Sequence, residues 1–536
     1  MRILDITTRR LFVDDEHISV RERLTRTMHT AEKHRDNPVL LPDRRWEGGM
    51  AVINNSIIYD TESELFRMWY WGNPGNGLES CVASSVDGLR WEKPPVGIRE
   101  YEESHDNNLI GLMIHQIVYG GDAFGDLPAD WMYRTMNWSA ERGQWAAHSR
   151  DGLRWNDGGD VSFSAGDTFK AFKSTEAVTG SDRAPGYLRS DAVDRYMGFV
   201  RYCCPVGRFD GSSDIRPTRR VQVMIQSGDW IEWGEPVRIL TPDERDDVIA
   251  EARIAEALED GSLVHNHPDD HRAEFYTMYV WPYEDLYIGM LLLFYPSYEF
   301  HRDGLNNQSG PGEIQLIASR DLYEWRRLGD RQPFIAKGGP GEFDWAGAWY
   351  TNPPFVKDGK LLFFYTGVTI THGGSRDERY VKELQQRIDR GEIPATHSIG
   401  LATIRRDGFV SLDALNEPGR LITKPFGWPG GRLHLNADAS RGWISAWVLQ
   451  PDGTPVDAGL ESNRICGDHL DYAVDFHAKQ NTRAADRDVV HTHGTAEETG
   501  TARAAVATQG VSVEPGAPVR LELKAANASL FAYWFS

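Results

Sequence analysis

The sequence predicts an all-β protein: a five-bladed β-propeller over residues 1–425, a C-terminal β-sandwich over 426–536, and short helical insertions. Three observations predict it: a composition typical of strands, a turn phrase that recurs with each block of strands, and a stronger alternation of apolar and polar residues from about Gly431 onward. The 536 residues include 18 Trp, 20 Tyr and 21 Phe beside 52 Gly, which favours strands and tight turns. A chain of this length exceeds one ordinary core, so at least two domains are expected.

The turn phrase Asp-Gly-Leu-Arg-Trp occurs twice and then weakens along the chain. The copies are SSVDGLRW (84–91), HSRDGLRW (148–155), QSGDWIEW (226–233), ASRDLYEW (318–325) and TIRRDGFV (403–410). Each copy closes a block of strand-like runs, and the blocks recur at roughly 60–90 residues, as in a radial repeat. We interpret the phrase as a strand, a turn at Asp-Gly and a packed Trp. Because it builds the fold, its Asp and Arg are predicted to be structural rather than catalytic.

Two predicted helices interrupt the strands, and apolar and polar residues alternate more strongly in the C-terminal part. The segment 241–262 begins with an N-cap Thr and Pro, and 375–392 ends at Gly391, so both are predicted helices. Such insertions either shape a site, contact another subunit of a homo-oligomer, or remain solvated. From Gly431 onward, segments in which apolar and polar residues alternate indicate the strands of the β-sandwich. The polar run 479–506 between them is predicted to be a loop.

Charge and residue usage limit the classes of partner. The net charge of −21 argues against nucleic acid or an anionic membrane as the main partner. No apolar run reaches the length of a signal peptide or a membrane span, so a cytoplasmic location is expected. The four cysteines, Cys81, Cys203, Cys204 and Cys466, lack metal-ligand spacing. His265, His267 and His271 in HNHPDDHR are compatible with a metal, but a His-rich polar loop is commoner, so we predict no metal and no cofactor.

Three further segments carry a family resemblance: DNPVLLPDRRWEGG (36–49), FRMWYWG (66–72) and LLFFYTG (361–367). With the repeated turns, they resemble the five-bladed propeller glycoside hydrolases of families 32, 43, 68 and 117. The plan is most similar to family 32, the invertase and fructanase group, which also carries a C-terminal β-sandwich. Its Asn-Asp-Pro-Asn-Gly, Arg-Asp-Pro and Glu-Cys motifs are absent as such. The resemblance implies a glycoside hydrolase or transglycosylase acting on small oligosaccharides, with fructosyl or arabinosyl furanosides favoured.

The resemblance also implies where the chemistry lies, because in this superfamily the acids sit on or before the innermost strand of each blade. Glycoside cleavage needs two carboxyl groups. Asp167 is flanked by small residues that allow close approach, and Glu274 precedes an apolar strand whose burial should raise its pKa. We predict Asp167 and Glu274 as the catalytic pair, while Asp269, Asp270, Glu342 and Asp344 remain alternatives.

Substrate contacts are predicted from acids beside aromatic rings and from charges in apolar strands. The predicted substrate-binding residues are Glu47, Trp46, His115, Arg201, Asp344, Trp349 and Tyr350. Rings stack on the CH face of a sugar while carboxylates bind its hydroxyls, although propeller packing and structural ion pairs explain the same residues. Two other functions stay open: a non-catalytic sugar-binding propeller, and a phosphorolytic enzyme using the basic segment RPTRR (216–220).

Overall fold

The computed structural model of the protein describes most of the chain. The described residues are 8–60, 63–75, 77–120, 128–139, 141–163, 168–173, 195–204, 219–300, 307–456, 460–478 and 513–536. They form two compact units, one of Met28–Phe409 and one of Met1–Thr27 with Val410–Ser536. Across these stretches no helix is long and apolar enough to cross a membrane. Predictions for Asp167 and for the polar run 479–506 fall outside the described residues.

The Met28–Phe409 unit contains five antiparallel sheets in chain order, one for each predicted blade. Four strands precede them: β1 (Arg10–Leu11), β2 (Ile18–Glu22), β3 (Leu24–Met28) and β4 (Glu32–Lys33). The first blade holds β5 (Ile57–Asp60), β6 (Leu65–Gly72) and β7 (Glu79–Ser85). The second holds β8 (Val118–Tyr119), β9 (Tyr133–Ser139), β10 (Gly143–Ser149) and β11 (Asn156–Asp160). The third holds β12 (Phe169–Lys173), β13 (Tyr196–Cys204), β14 (Arg219–Ser227) and β15 (Val237–Leu240).

The last two blades are longer and carry the helices. Helix α1 (Glu244–Glu259) precedes the fourth blade. That blade holds β16 (Glu274–Tyr283), β17 (Leu286–Phe294), a hairpin of β18 (Tyr298–Glu299) and β19 (Gln308–Ser309), β20 (Gly312–Ser319), β21 (Trp325–Arg327) and β22 (Pro333–Ile335). The fifth blade holds β23 (Gly347–Thr351), β24 (Phe355–Lys357), β25 (Lys360–Val368) and β26 (His397–Arg405), with α2 (Glu378–Asp389) between the last two. Short 3-10 turns occupy Arg45–Glu47, Ala129–Trp131, Pro268–Asp270, Gly329–Arg331 and Gly374–Arg376.

The first strands of all five blades converge on a central cavity of about 100 Å³. Its lining includes Ile57, Ile117, Ala171, Val280 and Asn352, one from each blade in turn. A closed ring of five sheets around one axis confirms the predicted propeller. The ring is completed by β4, because Lys33 pairs with Ala402 and Glu32 with Thr403 in β26. The sequence gives no local sign of that pairing.

The repeated phrase forms the same turn in four blades. In each copy the Asp side chain accepts hydrogen bonds from two backbone N–H groups, and the Trp Nε1 donates to a carbonyl three residues earlier. The residue after the Asp has positive φ, which Gly adopts freely. That residue is Gly88, Gly152, Trp230 or Leu322, with φ of 79°, 75°, 75° and 69°. The structural interpretation of the phrase is confirmed.

Both predicted helices are present. The N-cap of α1 is Asp243, not Thr241, because its carboxylate accepts from the Asp246 N–H in a capping box. One face of α1 packs Ala250, Ile254 and Ala257 into the core of the third and fourth blades. Helix α2 begins at the Asp377 cap and ends just before Gly391.

The second unit is also all-β, which confirms the predicted fold class, and its strands form one continuous sheet. They are β27 (Val410–Ala414), β28 (Gly419–Thr423), β29 (Phe426–Gly427), β30 (Leu433–Leu449), β31 (Leu460–Ser462), β32 (Ile465–Ala473), β33 (Phe476–Ala478), β34 (Pro518–Ala526) and β35 (Ala528–Phe535). The long strand β30 pairs with β32, β34 and β35 around a core of its own. Strands β1, β2 and β3 join the same sheet. The units therefore divide differently from the predicted 1–425 and 426–536, because N-terminal strands pair with partners about 400 to 520 residues away.

Candidate functional site

Two β-bulges direct aromatic side chains to the starting ends of the innermost strands. In β16, Phe275 pairs with Leu293 and Thr277 with Leu292, so Tyr276 is the extra residue of a bulge. In β23, Trp349 and Tyr350 lie in a second irregularity of the pairing with β25. Bulges bend a strand and re-aim the residues they contain. The central cavity lies farther along the same strands.

The redirected rings form a contiguous cluster with side chains from the other blades. The ring of Tyr276 lies 5.7 Å from that of Trp349 and 6.4 Å from that of Tyr350. Trp71 of β6 connects Tyr350, at 5.7 Å, to His115, at 5.4 Å. We call the whole assembly the funnel cluster; it comprises Trp71, His115, Arg201, Arg220, Glu274, Tyr276, Trp349, Tyr350 and His372. All five blades contribute to it.

Glu274 is buried among arginines at the start of β16. It is 1% exposed, forms an ion pair with Arg220, and accepts from Nε of Arg272 at 2.7 Å. Arg272 also bonds Glu299 at 2.6 Å. Burial raises the pKa of the Glu274 carboxyl, but the two guanidinium groups outweigh it and lower the pKa to about 2. The expected burial is confirmed, whereas the direction of the pKa shift is opposite to the expected one and favours the ionised carboxylate.

Two arginines of the third blade lie over the ring of Tyr276. The guanidinium carbons of Arg201 and Arg220 are 4.7 Å and 5.4 Å from the ring centroid. Both side chains come from one face of the β13–β14 pair, since Cys203 lies opposite Arg220. Such cation–π contacts hold a ring and make its surroundings positive. Arg201 was predicted to meet a carboxylate or substrate, and the structure places it on this ring.

His372 follows β25 and completes the cluster. Its Nε2 lies 3.1 Å from the Tyr276 hydroxyl, and its Nδ1 lies 2.9 Å from the carbonyl oxygen of Gln308. The imidazole also stacks on Trp349, with ring centroids 5.4 Å apart. A carbonyl can only accept, so Nδ1 carries the hydrogen in the neutral ring and Nε2 accepts from Tyr276.

Glu47 and Trp46 lie inside the first blade instead. Glu47 is fully buried; its carboxylate accepts from the Tyr70 hydroxyl and lies 2.6 Å from Nζ of Lys93. Trp46 donates through Nε1 to Oδ1 of Asn108 at 2.7 Å. Glu47 is thus held by partners within the first blade, and its predicted contact with substrate remains a prediction.

Asp344 repeats this arrangement in the fifth blade. It is fully buried, with Oδ2 at 2.6 Å from Nζ of Lys33 and 2.8 Å from the Tyr365 hydroxyl. Burial raises the pKa of its carboxyl, and Lys33 only partly opposes this. An acid before the first strand, a Tyr from the second strand and a Lys thus recur in two blades. That recurrence indicates a structural role for both acids, and the predicted substrate contact of Asp344 remains a prediction.

The other acids considered for the catalytic pair lie in turns. Asp270 is buried and accepts from the Glu299 N–H at 2.9 Å, whereas Asp269 and Glu342 are exposed. Asp167 lies outside the described residues. Its neighbour Thr168 donates through Oγ1 to the Tyr276 carbonyl at 3.4 Å. The catalytic assignments of Asp167 and Glu274 remain predictions.

The histidines of HNHPDDHR have separate partners. His265 lies 3.2 Å from Asp377, and His271 lies 2.7 Å from Glu251. Within the described stretches, no three His, Cys, Asp or Glu side chains are grouped so as to hold a metal ion.

Sequence reasoning missed several members of this site. Trp71 stands in FRMWYWG and Arg220 in RPTRR, but neither is among the predicted substrate-binding residues. Tyr276 lies two residues after Glu274, a separation that would normally place both on one face of the strand. The bulge interrupts the alternation of side chains between the two faces of the strand, and the amino-acid composition does not indicate where a bulge occurs. His372 and Arg272 have no motif that separates them from ordinary loop residues.

Comparisons with known proteins return no matching family model and no matching curated protein. Among solved structures, the chain is similar to an N-acetylgalactosamine deacetylase from F. plautii in complex with blood group B trisaccharide. That match has 14% identity, covers 71% of this chain and 96% of that one, and has a TM-score of 0.36. A putative glycoside hydrolase from Parabacteroides distasonis matches at 11% identity, covering 70% and 97%, with a TM-score of 0.39.

A fructofuranosidase variant from Schwanniomyces occidentalis, complexed with fructosylnystose, matches at 10% identity, covering 95% of this chain and 98% of that one, with a TM-score of 0.35. The resemblance to five-bladed propeller glycoside hydrolases is confirmed in fold, and the five described blades carry that conclusion.

Proposed function

We propose that this protein is a carbohydrate-active enzyme, a glycoside hydrolase or transglycosylase, whose site is the funnel cluster. One observation carries the proposal: all five blades send aromatic, cationic or acidic side chains to the same ends of the innermost strands. Sugars are bound by rings that stack on their CH faces and by charged groups that bind their hydroxyls.

Each residue of the funnel cluster is assigned a role from its surroundings. Trp349, Tyr350 and Trp71 provide the rings that stack on the substrate. Glu274, held ionised by its arginines, is suited to stabilising positive charge that develops on the sugar ring in the transition state. Asp167 is then the proton donor to the leaving oxygen. Small furanosides, with fructosyl or arabinosyl units, are the substrates that the family resemblance favours.

The test is turnover of an unactivated oligosaccharide by Asp167→Asn. After screening sucrose, fructans and nitrophenyl furanosides and pyranosides, we expect the variant to lose about 100-fold or more in kcat on the best oligosaccharide. Asp358→Asn, which changes an exposed turn acid of the fifth blade, is the matched control and should retain full activity. Full turnover by Asp167→Asn with an unchanged melting temperature would remove Asp167 from the mechanism. Binding without cleavage by the wild-type protein would favour the sugar-binding alternative.

Phosphorolysis is the second candidate, and the position of Arg220 favours it. This arginine of the RPTRR segment lies in the funnel cluster beside Arg201, whereas its neighbour Arg219 is bound to Asp247 at 2.8 Å. Two guanidinium groups on one face suit an anion such as phosphate. A rate that rises with inorganic phosphate, with release of a sugar phosphate, would establish this reaction; phosphate-independent release of the free sugar would exclude it.

A further inference from the structure

Tyr276, His372 and the Gln308 carbonyl form a hydrogen-bonded chain inside the funnel cluster. The Tyr276 hydroxyl donates to Nε2 of His372 over 3.1 Å, and Nδ1 of His372 donates to the carbonyl over 2.9 Å. An oxygen acid next to a base that is itself oriented by a third group is the arrangement that activates a side chain for catalysis. Tyr276 is 5% exposed, which keeps this contact away from bulk water.

Charged and aromatic groups from three blades surround this hydrogen-bonded chain. Arg201 of β13 and Arg220 of β14 lie over the Tyr276 ring, and His372 packs against it from the fifth blade. The nearest described carboxylate, Glu274, is held by Arg220 and Arg272, and Arg272 also binds Glu299. These cation–π contacts hold the Tyr276 ring in place beside His372.

The backbone supplies an independent reason to single out this tyrosine. Tyr276 is the extra residue of the β16 bulge. The regular pairing of β16 with β17 is interrupted there, and the Tyr276 side chain lies in the funnel cluster. Bulges occur preferentially next to active sites, where they re-aim one side chain. Glu274, ionised and bonded to two arginines, is poorly placed to relay protons, so that task falls to another group.

We propose that Tyr276 is the catalytic base of this site, relaying a proton from the attacking water to His372, which is its positioning residue. This inference rests on the proposed hydrolytic function and names its base. As the water oxygen bonds to the anomeric carbon, one water proton moves to the Tyr276 oxygen and the phenol proton moves to Nε2 of His372. The bond to the leaving oxygen breaks, and that oxygen takes a proton from Asp167. His372 then releases its proton to solvent, from which Asp167 regains one.

The experiment compares variants on the nitrophenyl glycoside that the wild-type protein cleaves fastest. A nitrophenolate leaving group needs little protonation, so this substrate isolates the base from the acid. We expect Tyr276→Phe to lower kcat about 100-fold or more, with KM changing about 3-fold at most. Tyr323→Phe, an exposed tyrosine far from the cluster, is the control and should keep full activity. For Asp167→Asn, the loss should be much smaller here than on an unactivated oligosaccharide.

The pH profile separates a proton relay from a structural role. The wild-type kcat/KM should fall at acidic pH as His372 becomes protonated, and His372→Gln should have low activity without that acidic limb. An unchanged acidic limb in His372→Gln, or Tyr276→Phe activity within about 3-fold of wild type, overturns the inference while leaving the enzyme a glycosidase. If the wild-type protein cleaves no glycoside, the proposed function fails and the inference with it. Should Tyr276→Phe fail to fold, the profile of His372→Gln decides.

Discussion

At the scale of single residues, the same residue type has different roles according to its partners. Glu47, Glu274 and Asp344 all precede a first strand and are all buried, yet burial alone does not determine their chemistry. Two arginines lower the pKa of Glu274, whereas Lys33 is not sufficient to lower that of Asp344. The sequence shows that an acid stands before an apolar strand. It does not show Arg220, which is 54 residues away in the chain.

The depressed pKa of Glu274 predicts a defined pH dependence of stability. A carboxyl whose folded pKa is below its unfolded value stabilises the fold above the unfolded pKa, near 4.5, and loses that contribution as the pH falls toward about 2. Glu274→Gln should therefore melt several degrees below wild type at pH 7. The difference should shrink between about pH 4.5 and 2.

Thermal melts of both proteins over this pH range provide the measurement. A Glu274→Gln deficit that persists undiminished at the acidic end would mean that packing, not the ion pairs with Arg220 and Arg272, is responsible. Asp269→Asn, an exposed acid of the same segment, is the control and should follow the wild-type curve.

At the scale of elements, the repeated turn contacts the neighbouring blade at three of the blade junctions. The Trp69 indole of the first blade donates to the Gly152 carbonyl in the second-blade turn, at 2.7 Å, and Trp230 donates likewise to Thr135. The Gly88 turn of the first blade packs on Phe364 of the fifth. The phrase therefore recurs where an inter-blade contact needs a turn whose backbone approaches the neighbouring blade closely.

Two glycines with similar φ distinguish the cost of a strained backbone from the cost of a steric clash with a neighbouring blade. Gly143 and Gly152 have φ of 79° and 75°, but a Cβ on Gly143 would meet nothing, whereas one on Gly152 would lie 2.6 Å from Trp69. We expect Gly143→Ala to cost roughly 1–2 kcal/mol for its left-handed backbone, and Gly152→Ala to cost clearly more. Denaturant or thermal unfolding measures both; equal costs would show that the Gly152 contact does not constrain the blades.

At the scale of the whole molecule, the propeller is closed by chain that precedes the first blade. Strand β4 completes the fifth sheet, and its Lys33 forms the ion pair with buried Asp344. Closure thus joins residues about 300 positions apart in sequence. Strand β4 covers the edge of β26 that would otherwise end the fifth sheet, and a covered edge is protected from pairing with other chains.

Removal of the Lys33 charge should weaken this closure. Lys33→Met leaves Asp344 buried without a cation, a change that costs about 3–5 kcal/mol when a buried pair is broken. Lys360→Met, an exposed lysine on β25 of the same blade, is the matched control and should be near neutral. The melting temperature is the readout, and Lys33→Met combined with Asp344→Asn should recover part of the loss. Equal melting of the two single lysine variants would show that this pair does not hold the ring.

The sequence by itself determined the five blades, their order, the turns between strands and the two helices, because those follow from local patterns of apolar, aromatic and turn residues. It also placed Glu274, His115, Arg201, Trp349 and Tyr350 among the candidate residues. The tertiary structure alone decided the unit boundary, the closure by β4, and which candidates meet. Strand pairing across hundreds of residues, bulges such as that at Tyr276 and ion pairs such as Glu274–Arg220 depend on spatial neighbours. Local patterns carry no information about those neighbours, so the sequence does not show the lysines that pair with Glu47 and Asp344.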